Sequence, residues 1–114
     1  MVTLTAGAVI LVTFPFSDLS KSKLRPAVVL ANAGRDDWIL CQVTSNPYFD
    51  HRAVSLTENS FRQGSLQRKS YARPGKLFTA NQDLIITKVG ELKQNVLKQI
   101  IDAVTEMLYS GFKV

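Results

Sequence analysis

The sequence predicts a mainly β, α+β fold: a small antiparallel β-barrel followed by a C-terminal α-helix. Three observations lead to it. Between Ala8 and Thr79, short runs rich in β-branched and aromatic residues alternate with Gly, Asn and Pro punctuation, the pattern of strands and tight connections. From Leu92 the apolar spacing changes to that of a helix. The chain has 114 residues, 46% apolar and 20% charged, enough to bury one core without disulfides or metals, so residues 1–114 are expected to form a single domain.

The elements follow in order. Ala8 to Phe14 is a continuous β-branched and aromatic run ended by Pro15, a first and largely buried strand. Pro15 to Leu24, rich in Ser and Lys, reads as a loop anchored by Phe16 and Leu19. Arg25-Pro26 opens a second strand, Ala27 to Ala31, where a starting proline is tolerated because the ladder does not need its missing N–H. Asn32 to Asp37 makes the turn into a third strand, Trp38 to Thr44, closed by Ser45-Asn46-Pro47, and the two strands form a hairpin. Ala53 to Leu56, Ser65 to Ala72 and Lys76 to Thr79 read as shorter strands. Closure of these strands into a barrel would remove exposed sheet edges. Leu92, Val96, Leu97, Ile100, Ile101, Val104 and Leu108 then form one helical stripe, with Gly111 placed to end it.

The net charge of +5 is uneven. Residues 59–82 contain no acid but carry Arg62, Arg68, Lys69, Arg73 and Lys76, which suits a polyanionic partner. Scattered solubilising charge is the plainer alternative. The single cysteine, Cys41, lies in an apolar run, has no internal partner, and is expected to pack in the core of a protein from a reducing compartment. The N-terminal residues lack a basic signal-peptide region and no apolar stretch approaches a bilayer span, so a soluble cytoplasmic protein without membrane association is expected.

The chemistry-bearing residues narrow the field. Cys41 and His51 are the only Cys and His and the acids are scattered, so no metal-ligand signature is visible and no cofactor is expected. A Ser-His-Asp hydrolase fits poorly because there is no Gly-x-Ser-x-Gly elbow. What remains is a set of basic and hydroxyl groups at predicted strand ends: Arg25, Thr44, Ser45 and Arg73. A barrel can gather such ends on one face, where an arginine fork and a hydroxyl suit a phosphodiester. Composition and spacing stop at a basic β-barrel.

At these residues a family pattern emerges. Gly7 with its following strand, Phe14-Pro15-Phe16-Ser17-Asp18-Leu19-Ser20, Lys23-Leu24-Arg25-Pro26-Ala27-Val28-Val29-Leu30, Cys41-Gln42-Val43-Thr44-Ser45, Ser70-Tyr71-Ala72-Arg73-Pro74-Gly75-Lys76-Leu77-Phe78 and Lys88-Val89-Gly90-Glu91-Leu92 together resemble the MazF/PemK-like toxins over nearly the whole chain. The resemblance implies an SH3-like barrel of the CcdB/MazF type and a homodimer. It also implies cleavage of single-stranded RNA without a metal, with the RNA 2′-hydroxyl as nucleophile, and neutralisation by a cognate antitoxin protein. Carried over by position, Arg25 matches the family's catalytic arginine and Thr44 its catalytic threonine or serine. Ser17, Lys23, Ser45, Arg73 and Lys76 are the expected RNA-binding residues. The chain departs from better-known members where Phe16 to Leu24 replaces a Gly-rich stretch, and no acidic or histidine partner for Arg73 is visible.

Two other classes stay open at this point. One is a non-catalytic gyrase poison of the CcdB type, which shares the barrel and acts through its C-terminal helix. The other is an SH3-like nucleic-acid or peptide adaptor, with Trp38, Tyr48 and Tyr71 as recognition aromatics.

Overall fold

The computed structural model describes residues 4–15, 22–47 and 50–112. Among the described residues, seven strands, β1 (Ala8–Pro15), β2 (Ser22–Gly34), β3 (Asp37–Thr44), β4 (Val54–Leu56), β5 (Phe61–Gly64), β6 (Ser70–Asn81) and β7 (Ile85–Leu92), precede one helix, α1 (Gln94–Phe112). They form a seven-stranded sheet in the order β4-β6-β3-β2-β1-β7-β5, and the pairs are antiparallel. The sheet curls into a half-barrel. β4 and β5 stand at opposite ends of the order, yet Val54 and Leu56 of β4 share a core cluster with Phe61 of β5. The expected antiparallel barrel with a C-terminal helix is borne out in this form.

Alternation along the strands divides the apolar residues between the two faces of the sheet. Val9, Val28, Cys41 and Val43 belong to one cluster, together with Val96, Leu97 and Ile100 of α1. Ile10, Val12, Ala27, Val29 and Leu40 belong to another, covered by Leu4 and Ile85 with Trp38 and Phe78 packed against it. Burying each of the three helix side chains is worth about 1.5–3 kcal/mol, which is what fixes α1 on the barrel. The stripe parts from the barrel beyond half-buried Val104, leaving Leu108, Tyr109 and Phe112 exposed. α1 also runs through Gly111, which stands in open space in the final turn, where a glycine costs the helix little.

Strand boundaries differ from the sequence reading for identifiable reasons. β2 begins at Ser22, so Ser22 to Leu24 belong to a strand and Arg25-Pro26 lies inside it. This part of β2 pairs with β1, as in Leu11 with Pro26, while the ladder with β3 begins only at Ala27. A proline with a neighbour on one side only costs no ladder bond. The expected six-residue turn tightens to Arg35-Asp36, both at positive φ (54° and 64°), because the β2–β3 ladder extends to Gly34 and Asp37.

Ser65–Ala72 and Lys76–Thr79 become the single strand β6, starting at Ser70. Its register with β3 jumps from Cys41–Leu77 to Val43–Ala72, so Arg73-Pro74-Gly75-Lys76 bulges opposite Gln42. Pro74, which would break a regular ladder, sits in that bulge and is buried. No helix is long and apolar enough to cross a membrane among the described residues.

Candidate active site

The antiparallel register brings the expected catalytic pair together. β2 and β3 pair as Val29–Leu40, Val28–Cys41 and Ala27–Gln42, and the ladder ends there, two residues short of Arg25 on one strand and of Thr44 on the other. On its other side Thr44 pairs with Tyr71 of β6. Arg25 and Thr44 both line a groove of about 380 Å³ with Lys23, Ser45, Arg68 and Ser70. Thus Arg25, Thr44, Lys23 and Ser45 converge as a set, with Leu66 and Val43 as apolar wall.

The groove is cationic. Lys23, Arg25 and Arg68 line it and no carboxylate does, among the described residues. Arg25 is half-buried, with its Nε below the surface, so its field acts through less water than that of exposed Lys23 or Arg68. Thr44 is held by its own turn: Oγ1 accepts the Asn46 N–H (3.2 Å) and donates to the Asn46 carbonyl (3.1 Å). A hydroxyl has one proton and two acceptor sites, so this geometry orients the oxygen while leaving acceptor capacity toward the groove.

Arg68 is the residue that motif matching missed. Its sequence signal was the acid-free stretch from Asn59 to Gln82, which marked the region as basic without distinguishing one cation from another. Ser17 lies outside the described residues. Arg73 and Lys76 stand on the β6 bulge, away from the residues that line the groove.

Arg73 has an acidic partner, contrary to the sequence reading. Its Nε donates to Asp50 Oδ2 at 3.0 Å, with side chains only 20% and 13% exposed. Asp50 also accepts the Arg52 N–H (3.0 Å) at its side chain, and its carbonyl accepts the Ala53 N–H (3.0 Å) in a turn over Asp50 to Ala53. Burial opposes ionisation of Asp50, but the Arg73 hydrogen bond, the Arg52 N–H and the charges of Arg73 and His51 outweigh it and hold the carboxyl below its ordinary range. The pair therefore ties the segment after Thr44 to β6. Asp50 lies 23 residues before Arg73, too far along the chain for spacing to suggest the contact.

Cys41 is buried, as expected, and its Sγ donates to the Arg73 carbonyl at 3.2 Å. Burial pushes the thiol pKa up to about 12 despite that bond, with the Asp50 charge adding to the rise. Trp38, a recognition aromatic on the adaptor reading, packs against the second core cluster and donates Nε1 to Gln82 Oε1 at 3.2 Å. Tyr71 is half-buried beside Thr44 with the Lys69 ammonium 5.6 Å from its ring centroid. Tyr48 falls outside the described residues. Among the described residues, no three His, Cys, Asp or Glu side chains gather into a metal-binding group.

Comparison with known proteins adds to this geometry. The family model described as PemK-like, MazF-like toxin of type II toxin-antitoxin system matches residues 5–108. No curated protein matches the chain. Among solved structures, a Mycobacterial endoribonuclease in complex with its cognate antitoxin is similar with a TM-score of 0.71 at 16% identity, covering 96% of each chain. MazF of the MazE-MazF complex from Deinococcus radiodurans has a TM-score of 0.73 at 18% identity, with 91% of this chain and 94% of that one covered. The Mycobacterium tuberculosis toxin MazF-mt6 gives 0.66 at 12% identity, covering 88% and 96%.

Proposed function

The chain belongs to the PemK-like, MazF-like toxins of type II toxin-antitoxin systems, and from that premise we propose that it is a sequence-specific, metal-independent endoribonuclease acting on single-stranded RNA, messenger RNA included. The observation that carries this reading is the shared groove of Arg25 and Thr44.

The chemistry asks little of the protein. RNA carries its own nucleophile: the 2′-oxygen bonds to the adjacent phosphorus as its proton departs, the bond to the 5′-oxygen breaks, and that oxygen gains a proton. The products are a 2′,3′-cyclic phosphate and a 5′-hydroxyl. The protein has to orient the reacting oxygens and stabilise the extra charge on phosphorus. Arg25 is assigned as the charge clamp, since a guanidinium stays protonated and offers a planar fork to two phosphate oxygens. Thr44 is assigned to position the 2′-hydroxyl or a phosphate oxygen: oriented by the Asn46 turn its free acceptor site suits the 2′-hydroxyl, and a phosphate oxygen would take the proton now given to the Asn46 carbonyl.

Ser45 and Lys23 hold neighbouring phosphates in this scheme, with Arg68 as a third cation on the same wall. Ser17 keeps the role its motif implies. Lys76 contacts RNA beyond the groove, and Arg73, besides any phosphate it meets, positions the segment after Thr44 through Asp50. The expected partners are a second copy of the chain and an antitoxin encoded beside it. The exposed Leu108, Tyr109 and Phe112 are more apolar surface than the end of a surface helix requires, which supports an interface there.

The test is incubation in EDTA with an unstructured RNA, with the same RNA carrying 2′-O-methyl groups, and with an Arg25→Ala control. Cleavage of unmodified RNA alone, lost in the control while RNA binding largely persists, supports the enzyme. Loss of binding without any cleavage activity in the parent protein supports an adaptor, and toxicity unchanged by Arg25→Ala supports a gyrase poison.

A further inference from the structure

The segment 65–69 separates two cavities that share Leu66 and Arg68 in their walls. One is the groove of Arg25 and Thr44. The other, about 370 Å³, opens where the two ends of the curled sheet meet, and its lining includes Glu58, Asn59, Phe61, Leu66, Gln67 and Arg68. The chain crosses that seam twice, from β4 to β5 by residues 57–60 and from β5 to β6 by residues 65–69.

Both crossings are anchored so that their polar side chains face outward. In the first, a 3-10 turn over Glu58–Ser60, Ser60 is buried; its Oγ accepts the Thr57 N–H (3.0 Å) and its carbonyl accepts the Lys93 N–H (2.9 Å). Glu58 and Asn59 are left exposed. In the second, Ser65 Oγ accepts the Gln67 N–H (2.9 Å) and Gln67 takes a left-handed φ of 64°. A glutamine there costs about 1 kcal/mol that a glycine would not. The strain is kept at the one position of this crossing that offers a side-chain amide to the cavity.

The two cavities differ in chemistry across their common wall. The first holds cations and hydroxyls without a carboxylate and suits a phosphate. The second adds a carboxylate, Glu58, to the cations Arg68 and Lys69, with two side-chain amides and an apolar wall of Phe61 and Leu66. The amides and the carboxylate match the hydrogen-bonding edge of a base and the apolar groups its face, while the cations match the phosphates that flank it. Arg68 on the dividing wall can hold the phosphate that links the two positions.

We propose that the second cavity is the subsite for the nucleobase next to the cleaved phosphate, with Asn59, Gln67 and Glu58 reading its edge. This rests on the nuclease reading above and gives its sequence preference a location. Because an ionised carboxylate only accepts hydrogen bonds, Glu58 favours a base with an exocyclic amino group, adenine, cytosine or guanine, over uracil, whose single edge donor, N3–H, lies between two carbonyl oxygens that the carboxylate repels.

The test compares the parent protein with Gln67→Gly, Asn59→Ala and Glu58→Gln on an RNA pool randomised at every position, with products sequenced, and with thermal unfolding of each protein. The parent is expected to prefer an amino-bearing base at one position beside the cut. Each variant relaxes that preference by about tenfold. Gln67→Gly unfolds at the same or a higher temperature, so its change in preference cannot come from loss of fold. An unchanged preference in all three variants, or a preference for uracil at that position, overturns the subsite. Binding to 2′-O-methyl oligonucleotides differing in single bases is read in parallel. A parent that cleaves nothing defeats the nuclease reading, while the subsite then stands if base-dependent binding is lost in the variants and falls if it is not.

Discussion

Replacing Asp50 with asparagine isolates the tie between the segment after Thr44 and β6. The two hydrogen bonds use different carboxylate oxygens, Oδ2 for Arg73 Nε and Oδ1 for the Arg52 N–H, so the single amide oxygen of asparagine keeps only one of them, and the substitution removes the charge and one hydrogen bond with little change in volume. Exposed ion pairs contribute about 0.2–1 kcal/mol, and leaving one partner of a fully buried pair costs about 3–5 kcal/mol. With side chains 20% and 13% exposed and a contact of 3.0 Å, the pair falls between these limits. Losing the charge and one of the two hydrogen bonds sets the expected cost at about 2–3 kcal/mol. In a domain of this size that lowers Tm by roughly 8–13 °C at pH 7.

The sign of the pH dependence follows from the direction of the shift. The Asp50 carboxyl is held below its ordinary value in the folded protein, so its stabilisation is complete above the unfolded value of about 3.9 and is lost as pH falls through the folded one. The gap in Tm between parent and Asp50→Asn should therefore be full at pH 7 and 5 and should narrow as pH falls below the unfolded value. Glu91, held low by Lys88 and then by Arg62, titrates in the same region, but it does so in both proteins and cancels in the difference. Tm by circular dichroism at pH 7, 5, 4 and 3 checks this. No gap at pH 7, or a gap that does not narrow between pH 5 and pH 3, would refute the charge as the source of the tie.

Other outcomes follow from the same coordinates. Gly64→Ala should destabilise by more than about 3 kcal/mol, because φ is +73° and a Cβ would stand 2.2 Å from the Val89 carbonyl oxygen; urea unfolding measures it. Ile100→Ala, at a fully buried position of the helix–barrel cluster, should cost about 2–5 kcal/mol, read by the same titration. Cys41, buried with a thiol pKa of about 12, should resist iodoacetamide at pH 8 in the native state and react in urea, as mass spectrometry would show. Thr44→Ser should keep most RNA cleavage and Thr44→Val should lose it with little change in Tm, since the role assigned to Thr44 needs the hydroxyl and not the methyl.

What could be read from the sequence was what local periodicity and local stereochemistry determine. The helix announced itself because Val96, Leu97 and Ile100 repeat on one face and do pack on the barrel. β1 and β3 were legible because their apolar runs end at Pro15 and at Ser45-Asn46-Pro47. β5 and β7 were missed for the converse reason: Arg62, Gln63 and Gly64 carry no apolar pattern, and Lys88 and Glu91 interrupt β7 with an ion pair. Their strand character comes from pairing with each other and with β1, which a linear scan cannot see.

The site divides along the same line. Arg25 and Thr44 each stood in a recognisable motif, but their proximity is a property of register, and a slip of one residue would have sent Thr44 to the other face. The register is held by Val28 against Cys41 and Val29 against Leu40, pairs whose opposite faces are both buried. A core residue such as Cys41 thus governs the groove without touching it. Arg68 and Asp50 reach their places by the fold alone, one by the crossing that bridges the sheet's ends and the other by a turn that no strand pattern marks. It follows that substitutions in β2 and β3 that disturb the buried apolar pairs should alter RNA cleavage before they abolish folding, whereas those at the exposed Leu108, Tyr109 and Phe112 of α1 should spare the groove.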